Sequence, residues 1–219
     1  MRAFLGIEIT QELREQIAVL QKHLQTSGAD ITWTAAENLH LTLKFLGEIT
    51  REQAGQIKQA MTSRLSTVDP FKISLRGAGG FPNLENARVL WVGMSHGKEE
   101  LKKLALAADK ACGPLGFPIE EKPFKAHLTI GRVRSMRGHK RLVKQMDGIS
   151  FRGKSPCPID AVTLFHSELT RKGPIYSPLA QFALIKTVTP PPATADQPGA
   201  AASPQTANDP PQDHSPSED

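Results

Sequence analysis

Asn38-Leu39-His40-Leu41-Thr42-Leu43-Lys44-Phe45-Leu46 and Phe124-Lys125-Ala126-His127-Leu128-Thr129-Ile130-Gly131-Arg132-Val133 are two strongly apolar segments carrying the same His-Leu-Thr tripeptide. Side chains of an extended strand alternate between its faces. Leu39, Leu41 and Leu43 are therefore predicted to enter a core while His40 and Thr42 stand together on the opposite face. Leu128 and Ile130 do the same for His127 and Thr129. Of the seven histidines, only His40 and His127 are followed two residues later by threonine. A polar pair on such a strand needs water, a partner or a ligand, because an unsatisfied buried polar group costs about 1–3 kcal/mol.

Working outward from the two segments, residues 2–9 read as a strand, and Leu13, Ile17, Leu20 and Leu24 recur at helical spacing until Gly28. After the first His-Leu-Thr strand, Thr50 and Gln53 form a capping-box pattern ahead of Ile57, Met61 and Leu65. Residues 71–75 and 88–94 read as strands joined by a Gly/Pro/Asn-rich loop, and Leu101, Leu104, Ala108 and Cys112 mark a third helix ending near Gly113-Pro114. Residues 137–146 are a basic, weakly helical stretch beyond the second apolar strand, and residues 161–165 and 179–185 have the composition of closing strands. No G-x-G-x-x-G or Walker pattern follows any strand, which argues against a doubly wound dinucleotide-binding fold. Helix followed by His-Leu-Thr strand occurs twice. The expected fold is α+β: two similar lobes of antiparallel-rich sheet with outer helices around a central cleft.

Residues 1–186 are expected to form that domain. From Thr187 onward the chain holds eight of the 17 prolines, no Lys or Arg, no aromatic residue and no apolar periodicity, so residues 187–219 are expected to be a disordered Pro/Ala/Asp-rich tail. The tail takes five of the 22 acidic residues, leaving 17 against 27 Lys and Arg in residues 1–186, a formal +10. Such a balance favours a polyanionic partner. Cys112 and Cys157 have neither C-x-x-C nor metal-ligand spacing and are expected to be inert in a reducing cytoplasm. With no signal pattern and no apolar run approaching about 18 residues, the expectation is a soluble, cytoplasmic monomer with no membrane partner.

Two His/Thr pairs facing one cleft suit acid/base chemistry at a phosphate. Histidine titrates near neutral pH, and a threonine hydroxyl donates to an anionic oxygen. A neutral imidazole takes a proton from attacking water while an imidazolium protonates the departing ribose oxygen. Thr42 and Thr129 would hold the nonbridging oxygens. No metal or other cofactor is needed, and no acidic cluster or His-x-x-x-His spacing points to one.

Paired H-x-T-x motifs on strands resemble the signature of the 2H phosphoesterase superfamily. One branch is closer still. The stretches Trp33…Glu37-Asn38-Leu39-His40-Leu41-Thr42-Leu43-Lys44-Phe45-Leu46-Gly47-Glu48, Gly79-Gly80-Phe81-Pro82…Arg88-Val89-Leu90-Trp91 and Leu164-Phe165-His166-Ser167-Glu168-Leu169…Gly173-Pro174-Ile175-Tyr176 are similar, in order over residues 1–186, to the bacterial and archaeal RNA 2′,3′-cyclic phosphodiesterases once called 2′-5′ RNA ligases. The resemblance implies opening of an RNA 2′,3′-cyclic phosphate end, or a nucleotide 2′,3′-cyclic phosphate, to a 2′-phosphomonoester, with weak 2′-5′ ligation as the reverse. It also implies His40 as proton donor and His127 as acceptor, an order the residues themselves leave open. Arg132 matches a phosphate-holding arginine of that pattern, but strand alternation points it with Leu128 and Ile130 unless a bulge at Gly131 intervenes or the strand ends there. The other reading of Arg132 is a lobe-edge ion pair.

Phe81, in a Gly-Pro loop, is the preferred candidate to stack on a terminal base, Phe45 being assigned to the core by its parity with the leucines. Lys44 shares parity with His40 and Thr42, although an exposed lysine is the commoner case. His166 reads as structural or surface, and His139 as part of a solvated basic face with an alternative contact to RNA backbone. Ala126 and Ala87 replace prolines of the family pattern. Two other readings stay open: an enzyme acting on another cyclic or 2′-5′-linked nucleotide, and a non-catalytic RNA-end or nucleotide-binding protein.

Overall fold

A computed structural model describes residues 1–171 and 173–185; the tail assigned to residues 187–219 lies outside them. The chain runs β1 (Arg2–Glu8), α1 (Gln11–Gln25), β2 (Ile31–Trp33), a 3-10 turn (Ala36–Asn38), β3 (His40–Glu48), α2 (Arg51–Leu65), β4 (Phe71–Phe81), β5 (Val89–His96), α3 (Lys98–Cys112), a second 3-10 turn (Gly113–Leu115), β6 (Leu128–Val133), α4 (His139–Asp147), β7 (Cys157–Ile159), β8 (Ala161–Thr170) and β9 (Gly173–Ala183). The strands form two sheets in the orders β3-β1-β8-β9 and β2-β6-β5-β4-β7, with antiparallel pairing throughout. The α+β expectation holds. Strand ownership is interleaved, however: β2 leaves the first half of the chain for the second sheet, and β8 and β9 return to the first.

Local chemistry sets the helix limits. Thr10 caps α1 by accepting from the Leu13 amide, and Leu13, Ile17, Leu20 and Leu24 bury one stripe of that helix. The box at α2 is complete, with the Gln53 amide donating to Thr50 Oγ1 (3.0 Å) and the Thr50 amide to Gln53 Oε1 (2.9 Å). Helices α2 and α3 pack together against the first sheet through β9 and β3, and α1 packs on α4. Among the described residues no helix is long and apolar enough to cross a membrane.

Several expected boundaries move. The strand read over residues 38–46 starts at His40, after the 3-10 turn. The one read over residues 124–133 is ordered into a ladder only from Leu128, where pairing with β5 ends at Val92–Leu128. β4 continues through three glycines to Phe81; at Gly79 a Cβ would stand 2.5 Å from the Trp91 ring. β9 begins at Gly173 rather than residue 179, since Pro174 and Pro178 are tolerated on an edge strand. The three-residue strands β2 and β7 are too short to show a period.

Both motif strands carry bulges, and these reorder their faces. Gly6 pairs with Thr42 and Leu5 with Lys44, so Leu43 is an inserted residue in β3, as is Leu46 between Phe45 and Gly47. Leu41 and Leu43 are buried as predicted, but Lys44 turns inward to 2% exposure and Phe45 outward to 60%. Both parity assignments are thereby reversed. Lys44 Nζ donates to Asp109 Oδ1 on α3 and to the Pro118 carbonyl, each at 2.6 Å, so the buried charge is paired and hydrogen-bonded. In β6, Leu90 pairs with Gly131 and Trp91 with Thr129, leaving Ile130 inserted.

Candidate active site

Strands β3 and β6 belong to different sheets yet approach within 8 Å between Cα atoms, so their polar faces meet. They border a cleft of about 770 Å³ lined by His40, Thr42, His127, Thr129, Arg132 and Tyr176, among others. The segment from β2 through the first 3-10 turn lines it as well, with Thr32, Trp33, Glu37 and Asn38. All four His/Thr residues of the two motifs thus share one cavity.

The two imidazoles are held alike. His40 Nδ1 lies 2.7 Å from the Asn38 carbonyl, and His127 Nδ1 lies 2.6 Å from the Lys125 carbonyl. A carbonyl only accepts, so Nδ1 carries hydrogen in both rings, and Nε2 is the nitrogen left for proton transfer. Around His40, Nε2 is 3.1 Å from Thr42 Oγ1, and the ring packs on Phe4 (4.7 Å between centroids) and edge-on to Tyr176 (5.1 Å). Burial in this aromatic nest holds the His40 pKa below its ordinary 6.5; the Asn38 hydrogen bond opposes the shift, and the Arg14 and Arg132 charges add to it. Burial likewise raises the Tyr176 pKa above its usual 10, keeping the phenol neutral and able to donate.

Arg132 lines the cleft. The insertion at Ile130 restores it to the face of His127 and Thr129, one residue before the glycine at which a bulge was considered. The Ile130 carbonyl accepts from the Thr34 amide (3.1 Å), which continues the β2–β6 pairing, and from buried Gln21 Nε2 (2.8 Å). Gln21 escaped the sequence reading, although its signal was present: it sits on the buried stripe of α1 between Leu20 and Leu24. Asn38 was also unassigned. Its carbonyl fixes the His40 tautomer while its Nδ2 donates to the Pro174 carbonyl (2.8 Å), tying β9 and Tyr176 to the site.

Of the remaining candidates, Phe81 adjoins His127, while His139, His166 and the cysteines do not line the cleft. Phe81 ends β4, packs edge-on to His127 (5.0 Å) and against Trp91 (5.3 Å), and is not among the cleft-lining residues, whereas Phe45 is. His139, the first residue of α4, is buried at 3% exposure with Nε2 3.0 Å from the Leu84 carbonyl, so it belongs to no solvated face. Half-buried His166 is in the middle of β8. Cys112 and Cys157 are buried and free, and burial pushes the Cys112 thiol up to about 11.

A family model described as "LigT like Phosphoesterase" matches residues 7–91 and again residues 92–176, one His-Leu-Thr motif in each. Several proteins named RNA 2′,3′-cyclic phosphodiesterase are similar over nearly their whole length. That of Methanothermobacter thermautotrophicus is 33% identical over 184 residues, covering 84% of this chain and 99% of that protein. That of Archaeoglobus fulgidus is 36% identical over 183 residues, covering 83% and 99%. Among solved structures, LigT of E. coli complexed with 3′-AMP superposes with a TM-score of 0.68 at 26% identity, covering 84% of this chain and 98% of that one.

Proposed function

Because the chain belongs to the LigT-like phosphoesterase family, we propose that it hydrolyses RNA 2′,3′-cyclic phosphate ends to 2′-phosphomonoesters, with His40 and His127 as the acid/base pair. The observation that carries this reading is the shared cleft into which two motif strands deliver matched imidazoles, each with Nδ1 committed to a carbonyl. The names of the relatives supply the substrate class.

In the proposed reaction His127 Nε2 takes a proton from water as the water oxygen bonds to phosphorus. The P–O3′ bond breaks, and the proton on His40 Nε2 passes to the departing O3′, leaving a 2′-phosphate and a 3′-hydroxyl. The bound phosphate carries negative charge to His40 and favours the imidazolium that burial disfavours. Thr42, Thr129 and Arg132 hold the nonbridging oxygens, Arg132 through charge-assisted hydrogen bonds. The terminal base lies against the aromatic side of the cleft, at Phe45 and Tyr176, and Phe81 braces His127. No step calls on a metal, and weak 2′-5′ joining of RNA ends follows from microscopic reversibility.

The test is incubation with an oligonucleotide ending in a 2′,3′-cyclic phosphate, with and without EDTA, identifying the monoester formed. A 2′-phosphate formed equally under both conditions is expected. A 3′-phosphate product would overturn the regiochemistry, and loss of activity in EDTA would overturn metal independence.

A further inference from the structure

Residues 122–146 contain eight lysines and arginines and no acidic residue, and among the described residues none of the eight forms an ion pair. Part of this charge is aligned with the site. Beyond the Ile130 bulge β6 alternates normally, with Arg132 exposed, Val133 half-buried and Arg134 exposed. Pairing with the chain before β2 carries on past the strand end: the Arg134 amide donates to the Asp30 carbonyl (2.9 Å) and the Asp30 amide to the Arg137 carbonyl (3.1 Å). His127, Thr129 and Arg132 line the cleft, Thr129 and Arg132 on either side of the bulge, and Arg134 follows Arg132 on the same face by about 6.6 Å. Arg137 comes next, in the turn. The Asp30 carboxylate accepts from the Ser135 hydroxyl (2.7 Å) and neutralises no arginine. This row starts at His127 and Thr129 in the cleft and leaves it through Arg132 and Arg134.

We infer that this row is a track for the RNA strand upstream of the end held in the cleft, with Arg134 and Arg137 binding the first backbone phosphates beyond the reacting one. The track rests on the phosphodiesterase reading for its substrate. Continuity with the phosphate site favours a polynucleotide over any other polyanion, since the strand is covalently joined to the group in the cleft. The enzyme then distinguishes an RNA end from a free cyclic nucleotide by charge outside the catalytic pocket.

The test uses the full chain and the double variant Arg134→Gln/Arg137→Gln. Binding of an oligonucleotide ending in a 2′-phosphate is followed by fluorescence anisotropy across KCl concentrations, beside turnover of a 2′,3′-cyclic mononucleotide. Expected are about tenfold weaker oligonucleotide binding by the variant at low salt, a log–log salt slope reduced by about 1.4 for two lost phosphate contacts, and unchanged mononucleotide turnover. Equal affinity and slope for the two proteins would overturn the track. Should the wild type turn over no cyclic phosphate at all, the phosphodiesterase reading fails, while the binding comparison still decides the track.

Discussion

The two motif strands repeat one design and fill it with opposite chemistry. Each presents His and Thr, inserts an apolar residue, buries the next position and returns the one after that to the cleft. In β3 the inserted residue is Leu43, the buried one Lys44 and the returned one Phe45; in β6 they are Ile130, Gly131 and Arg132. His40 sits against Phe4 and Tyr176 and His127 edge-on to Phe81, but the β6 side also carries arginines that form no ion pair among the described residues. Two identical tripeptides thus acquire different environments, partly from the residues that follow each and partly from neighbours distant in sequence, Phe4 of β1 and Tyr176 of β9 beside His40. On the proposed reading, the terminal base lies on the β3 side and the cations of β6 add to the phosphate contacts of Thr42 and Thr129.

The most severe way to break the comparison is to remove an imidazole. His40→Ala and His127→Ala are each expected to lower kcat by about 10²–10⁴-fold, the usual weight of general acid or base catalysis, with unchanged thermal unfolding; a variant retaining full kcat would end the paired-histidine reading. Next is Lys44→Met, which strands Asp109 in a buried site. A loss of about 3–5 kcal/mol in chemical denaturation is expected, largely recovered by adding Asp109→Leu. Little loss would mean that the pair does not hold β3 in place.

Smaller effects separate the two sides. Phe45→Ala is expected to lower kcat/KM roughly tenfold by removing a stacking surface worth about 1–3 kcal/mol, chiefly through KM and without changing its salt dependence. A salt-dependent loss would contradict an aromatic role. Gln21→Leu leaves the Ile130 carbonyl only the Thr34 amide and is expected to cost about 1–3 kcal/mol of stability, together with a raised KM as Arg132 loses its support.

The finest probe is pH. The His40 pKa is lowered, so the protonated form needed for donation is lost as pH rises through a value below 6.5, and kcat/KM should already be falling there. Arg132→Gln removes one charge that lowers this pKa and should move that limb to higher pH. An unmoved limb would show that Arg132 does not act on His40.

Much of the fold and the site was legible in the sequence. Alternation in two apolar strands located His40, Thr42, His127 and Thr129 on polar faces, and the helical stripes and the Thr50–Gln53 box located the outer helices. The failures on the motif strands had one cause. Alternation assumes an unbroken ladder, and a single inserted residue inverts every later assignment. Unbroken alternation therefore puts Lys44 beside His40, Phe45 in the core and Arg132 on the face of Leu128 and Ile130, each the reverse of what the bulged strands show. The bulges are set by register against the partner strands β1 and β5, contacts between residues distant in sequence. His139 misled for another reason: flanking charges described a surface on which its own position in α4 is the buried one.

Interleaved strand ownership bears on how such a chain can be cut. Each His-Leu-Thr repeat looks like a module, yet the first half alone would leave β1 with no β8 on one edge and β2 with no β6 to join. An unpaired central strand is a template for aggregation. Each half completes the other's sheet, so fragments divided in the loop between β4 and β5 should be insoluble apart and recover a working enzyme only when produced together.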